Sequence, residues 1–115
     1  MILDISKIRI FIRPGFTDMR NAINGLSFCV ENEMLQNPFS GSLFLFCNRQ
    51  KRILKAIWWD SNGFCLCQKR LEKDHFPWPS TSDEVQELTR DELLLLLKGI
   101  NFFTAHKPIY YTNVS

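Results

Sequence analysis

Residues 43–69 read LFLFCNRQKRILKAIWWDSNGFCLCQK, and three strand-like runs stand in this stretch: Leu43 to Cys47, Ile53 to Trp59 and Phe64 to Lys69. Leu43-Phe44-Leu45-Phe46-Cys47 shows no polar alternation, so this strand is expected to be central and covered on both faces. Asp60-Ser61-Asn62-Gly63 contains Asn-Gly between two strand-like runs, a strong hairpin signal. The stretch therefore predicts an antiparallel meander.

Upstream, Ile8 to Ile12 is a β-branched and aromatic run that ends at Pro14-Gly15, a first strand leaving into a turn. The period then changes, with Met19, Ala22, Ile23, Leu26, Cys29 and Val30 recurring at helical spacing. An amphipathic helix is predicted from Thr17, as N-cap, to about Met34, with Asp18 at the positive end of the helix dipole. Gly25 inside it suggests close packing against a neighbouring element or tolerance on the exposed side. Asn37-Pro38-Phe39-Ser40-Gly41 is turn chemistry.

Downstream, two prolines in Phe76-Pro77-Trp78-Pro79 remove ladder donors, so an extended crossing is expected. Thr89 and Glu92 make a capping box, Leu88 and Leu93 a hydrophobic staple, and Gly99 stands where a C′ glycine belongs. A helix is placed over residues 90–98, and residues 101–115 are expected to be a partly irregular tail that packs through Phe102, Phe103 and Tyr110. The expected fold is α+β, of order β-α-β-β-β-α. An antiparallel sheet carries the first helix on one face, and the capped C-terminal helix covers an edge or the other face.

With 115 residues, 45% of them hydrophobic, the chain is expected to form one domain with one core. The first residues carry Asp4, Lys7 and Arg9 among apolar ones, and the longest apolar run, residues 93–97, is far below the roughly 20 needed to span a bilayer. Neither export nor membrane insertion is expected, which points to the cytoplasm. In that reducing compartment Cys29, Cys47, Cys65 and Cys67 are read as thiols.

Cys65 and Cys67 share a strand face, and Cys47, His75 or His106 would have to complete a tetrahedral metal site. One residue between paired ligands is too few, so buried apolar cysteine is the expected state. Asp18, Asp60 and Glu72 invite a metal-nuclease reading. The position two before Lys69, where that chemistry needs a carboxylate, holds Cys67, and Asp60 is read as a turn residue. His75 and His106 adjoin no nucleophile motif, and Ser40 lies outside any Gly-x-Ser-x-Gly elbow. No catalytic residue, metal or cofactor is expected.

Charge is uneven along the chain. Between residues 42 and 73, Arg49, Lys51, Arg52, Lys55, Lys69, Arg70 and Lys73 face only Asp60 and Glu72, whereas residues 74–98 are acidic. A cationic hairpin can lie along phosphates while Trp58 and Trp59 stack on unpaired bases. Against this stand a solvated sheet face and tryptophans used as core.

The words Phe16-Thr17-Asp18-Met19-Arg20, Asn37-Pro38-Phe39-Ser40-Gly41, Leu43-Phe44-Leu45-Phe46-Cys47-Asn48-Arg49, Trp58-Trp59-Asp60 and Lys69-Arg70-Leu71-Glu72 follow one another through most of the chain. With Phe76-Pro77-Trp78-Pro79 and Leu88-Thr89, the pattern resembles the TnpB-type accessory proteins, products of the second reading frame in the insertion-sequence family numbered sixty-six. Asn21-Ala22 departs from the Lys-Gly pair expected there, and Cys65 and Cys67 replace aromatics. The resemblance implies a bacterial mobile-element protein that assists transposition beside a separate transposase, and the basic sheet region makes the leading reading a non-catalytic accessory protein that binds DNA, the transposase, or both. Its alternatives are a pure protein-interaction subunit, docking through an acidic segment from Asp83 to Glu92, and, third, a metal-dependent nuclease.

Overall fold

The computed structural model describes residues 4–80 and 86–99. The elements run β1 (Ile10–Ile12), α1 (Ile23–Asn32), β2 (Leu43–Cys47), β3 (Ile53–Asp60), β4 (Gly63–Arg70), β5 (Gln86–Leu88) and α2 (Arg90–Leu97). They form one five-stranded sheet in the order β4-β3-β2-β1-β5. The fold is α+β, as expected.

The sheet is mixed, which corrects the expected all-antiparallel arrangement. β2, β3 and β4 do form an antiparallel meander, but β1 pairs with β2 in parallel, Phe11 opposite Phe44. The reason is connectivity: α1 carries the chain back across the sheet, and a crossover of this kind delivers the next strand parallel to the first. β5 is a strand the sequence reading lacked. It pairs antiparallel with β1 at the far edge, where Arg9 and Glu87 make a bidentate ion pair.

Every residue of β2 is buried, and alternation divides them between two cores. Phe44 and Phe46 pack with Phe11 and Ile57 against Leu26, Cys29 and Val30 of α1. Leu43, Leu45 and Cys47 pack on the opposite face with Ala56, Trp58, Phe76 and Trp78, and with Leu93 and Leu96 of α2. Thus α2 and the crossing at residues 76–80 cover the second face. Burial pushes the Cys29 and Cys47 thiols up to about 12.

The hairpin forms with Asp60 opposite Gly63, so its two central residues are Ser61 and Asn62 and the positive φ of 54° falls on Ser61. α1 starts at Ile23 rather than after Thr17, and its N-cap, Ala22, supplies no side-chain bond. The Thr17 N–H is taken by the Cys47 carbonyl at 2.7 Å, and Asp18 accepts from the Arg20 backbone and guanidinium. The close contact at Gly25 is with no neighbouring element: a Cβ there would sit 2.3 Å from Oδ1 of Asn21, four residues earlier.

α2 carries the expected capping box. Glu92 N–H donates to Thr89 Oγ1 at 3.1 Å and Thr89 N–H to Glu92 Oε1 at 2.8 Å. Gly99 closes the helix with a φ of 78°. Thr89→Ala is expected to lower stability by about 1 kcal/mol, measured as a shifted urea midpoint with an unchanged slope. The expected contacts of Phe102, Phe103 and Tyr110 lie outside the described residues, as does His106.

Candidate nucleic-acid interface

Two loops leave the carboxyl ends of the parallel pair side by side, residues 13–22 after β1 and residues 48–52 after β2. In open sheets this end is where loops are free to build a binding site. The second loop is held by Asn48, whose Oδ1 accepts from the N–H groups of Arg52 at 2.9 Å and Ile53 at 3.0 Å. Lys51 sits in the left-handed region at a φ of 60°, uncommon for a side chain of this size. Bonds on both sides hold it there: Lys51 N–H donates to the Asn48 carbonyl, and the Lys51 carbonyl accepts from Phe76 N–H at 2.7 Å.

The crossing closes the third side. Gly15 N–H donates to the Pro79 carbonyl at 2.8 Å, and the buried Trp78 donates its indole N–H to the Arg13 carbonyl at 2.9 Å. Gly15, Phe16, Arg49, Lys51, Trp78 and Pro79 thereby enclose a cleft of about 140 Å³. Arg49 lies over the Phe16 ring, with its guanidinium carbon 4.2 Å from the ring centroid. Phe16 is still 53% exposed.

The seven cations singled out by charge do not share one surface. Arg49, Lys51 and Arg52 stand on the loop, and Arg70 and Lys73 adjoin it, because Leu71 N–H bonds the Arg52 carbonyl and Arg52 Nη1 donates to the Glu72 carbonyl. Arg70 is paired with Glu72 at 3.0 Å. Lys69 points to the other face of β4 and donates to the Leu97 carbonyl at the end of α2. Lys55 is only 8% exposed, and its Nζ donates at 2.8 Å to the carbonyls of both Met19 and Asn21. It is therefore an interior brace beneath the first loop and not part of the cationic surface.

The tryptophans also move out of the stacking role. Trp58 is buried in the core, and Trp59 is packed edge-on against Phe39 and Phe64. Cys65 is buried, but Cys67 is exposed, on an edge strand whose burial falls away after Leu66. Asp18 is held at about 2 by hydrogen bonds from Arg20, and Glu72 faces Arg70. The described part of the acidic segment is partly engaged within the fold, Glu87 by Arg9 and Glu92 by the cap of α2; Asp83 and Glu84 lie outside the described residues.

Phe16 and Trp78 are the site residues that charge counting missed. Their signal was the quoted words themselves: residues 16–20, 47–49 and 76–79 are far apart in sequence, yet all border this end of the sheet.

Residues 8–107 match the family described as IS66 Orf2 like protein. Two uncharacterised proteins of Sinorhizobium fredii are similar: y4hO, 38% identical over 83% of each chain, and y4jC, 30% identical over 89% of this chain and 88% of its own. No solved structure matches. No helix among the described residues is long and apolar enough to cross a membrane. The chain belongs to the IS66 Orf2-like family, a family of accessory proteins of transposition.

Proposed function

We propose that this member of the IS66 Orf2-like family is a non-catalytic, cytoplasmic accessory protein that contacts DNA phosphates during transposition and works beside the transposase of its own element. The observation that carries the reading is that Arg49, Lys51 and Arg52 stand together on residues 48–52, a loop fixed by Asn48 at the end of the sheet and bonded to the segment that leads from Arg70 to Lys73. Cations on a braced loop lose little freedom on meeting a phosphate backbone, and neutralised phosphates release their counterions. Such contact positions a protein on DNA without reading its sequence. This suits a factor that keeps a transposase on its substrate.

The test is a salt titration of binding to a fluorescent duplex. Wild-type affinity is expected to be micromolar or weaker near physiological salt, falling linearly on a log–log plot. The triple variant R49Q/K51Q/R52Q should flatten that slope by up to about 2.7, three phosphates at roughly 0.9 each. The control K7Q/K98Q, altering exposed cations elsewhere, should leave it intact. Equal slopes for wild type and triple variant, or no binding at low salt, would remove the proposal.

A further inference from the structure

We infer that the Phe16–Arg49 pair is a stacking platform for an unpaired nucleobase, so that the DNA taken at this end of the sheet is single-stranded; this rests on the phosphate contact proposed above. Phe16 and Arg49 together form a wall between two depressions, one bordered by Lys51, Trp78 and Pro79, the other by Thr17, Asp18 and Gln50. A ring whose one side is met by a guanidinium, and which is still half exposed, offers a flat apolar surface bounded by positive charge. Bases released from a duplex stack on just such aromatic and guanidinium planes.

The two depressions differ in charge. The second carries Asp18, whose carboxylate is already taken by Arg20, whereas the first, among the described residues, has no carboxylate on its wall and places Lys51 beside Arg49. The base therefore enters the cleft of about 140 Å³ between Phe16 and Trp78, and its flanking phosphates lie toward Arg49, Lys51 and Arg52. Gly15 suits this approach, since its φ of 79° lets the backbone turn below the cleft while bonding the Pro79 carbonyl. Stacking of this kind accepts any base, because every base presents a π-face. The two solvent-poor tryptophans on β3 are not required.

The experiment compares three ligands of equal length: oligothymidylate, an abasic strand with the same phosphates, and a duplex. Wild type is expected to bind oligothymidylate on the order of five- to a hundredfold more tightly than the abasic strand, the range for one stacked base. Phe16→Ala should erase that preference while leaving affinity for the abasic strand and the duplex unchanged, and Phe16→Trp should restore it. Because Phe16 is half exposed, its truncation removes little core. If wild type binds oligothymidylate and the abasic strand equally, or Phe16→Ala keeps the preference, the stacking platform is overturned while the phosphate contact stands. If none of the three ligands binds at low salt, both fall together.

Discussion

Truncating Trp78 to Ala is expected to lower the free energy of unfolding by about 3–5 kcal/mol, the range for removing a large aromatic from a packed interior. Trp78 is buried among the residues that cover the second face of the sheet, and it comes from a crossing that two prolines bar from any ladder. A segment with few backbone bonds of its own depends on its side chains for placement. Here Phe76 and Trp78 plug the core, and the Trp78 indole N–H satisfies the Arg13 carbonyl just beyond the end of β1.

Trp78→Phe separates the two contributions. It keeps most of the apolar contact but leaves the Arg13 carbonyl without that donor, so a loss of about 1–2 kcal/mol is expected. Urea unfolding followed by circular dichroism measures both. Because the crossing also walls the cleft, Trp78→Ala should weaken single-strand binding more than duplex binding. A change below about 1 kcal/mol for Trp78→Ala would mean that the crossing is held by its backbone contacts instead.

The elements that rest on local chemistry were legible in the sequence. The unbroken apolar run of β2 announced burial on both faces, and Thr89 with Glu92 announced the start of α2. What the sequence hid depends on partners distant along the chain. The parallel pairing of β1 with β2 follows from where α1 returns the chain, and periodicity within either strand carries no sign of direction. β5 is three residues long, with polar Gln86 and Glu87, and exists because β1 offers an edge and Arg9 a partner. The start of α1 was misplaced because Lys55, distant in sequence, takes the Met19 and Asn21 carbonyls that a helix begun at Thr17 would use as its own acceptors. The cationic cluster was half legible: clustering in sequence located the loop, but strand alternation sends Lys55 inward and Lys69 to the opposite face. Strand period alone would have flagged Lys55, which shares its face with Ile53 and Ile57.

Replacing Lys55 with Met is expected to cost about 2–3 kcal/mol of stability, since two carbonyls beneath the loop lose a charged donor at once. Met retains a long unbranched stem, so the loss reports the hydrogen bonds and not a cavity. The carbonyls belong to Met19 and Asn21, the residues that lead into α1, and the helix has no side-chain cap to fix its entry. Lys55 takes over that task from within the sheet: its strand is rigid, its ammonium has three donors, and two of them hold the incoming chain. Residues 16–20 should therefore loosen in Lys55→Met while the sheet stays intact, visible as faster amide exchange from Phe16 to Asn24 and unchanged protection in β2 and β3. Binding should respond in a way that separates a brace from a phosphate contact. A lysine that touched phosphate would flatten the duplex salt slope when removed, whereas the loss of a brace should leave that slope unchanged and weaken only the binding of oligothymidylate, by loosening Phe16 beneath Arg49. Lys55→Arg is the decisive companion, since it keeps the charge but cannot fit a larger planar head between two carbonyls 2.8 Å from the ammonium. It should destabilise the protein nearly as much as Lys55→Met, and a stable Lys55→Arg with a normal salt slope would return Lys55 to the cationic surface.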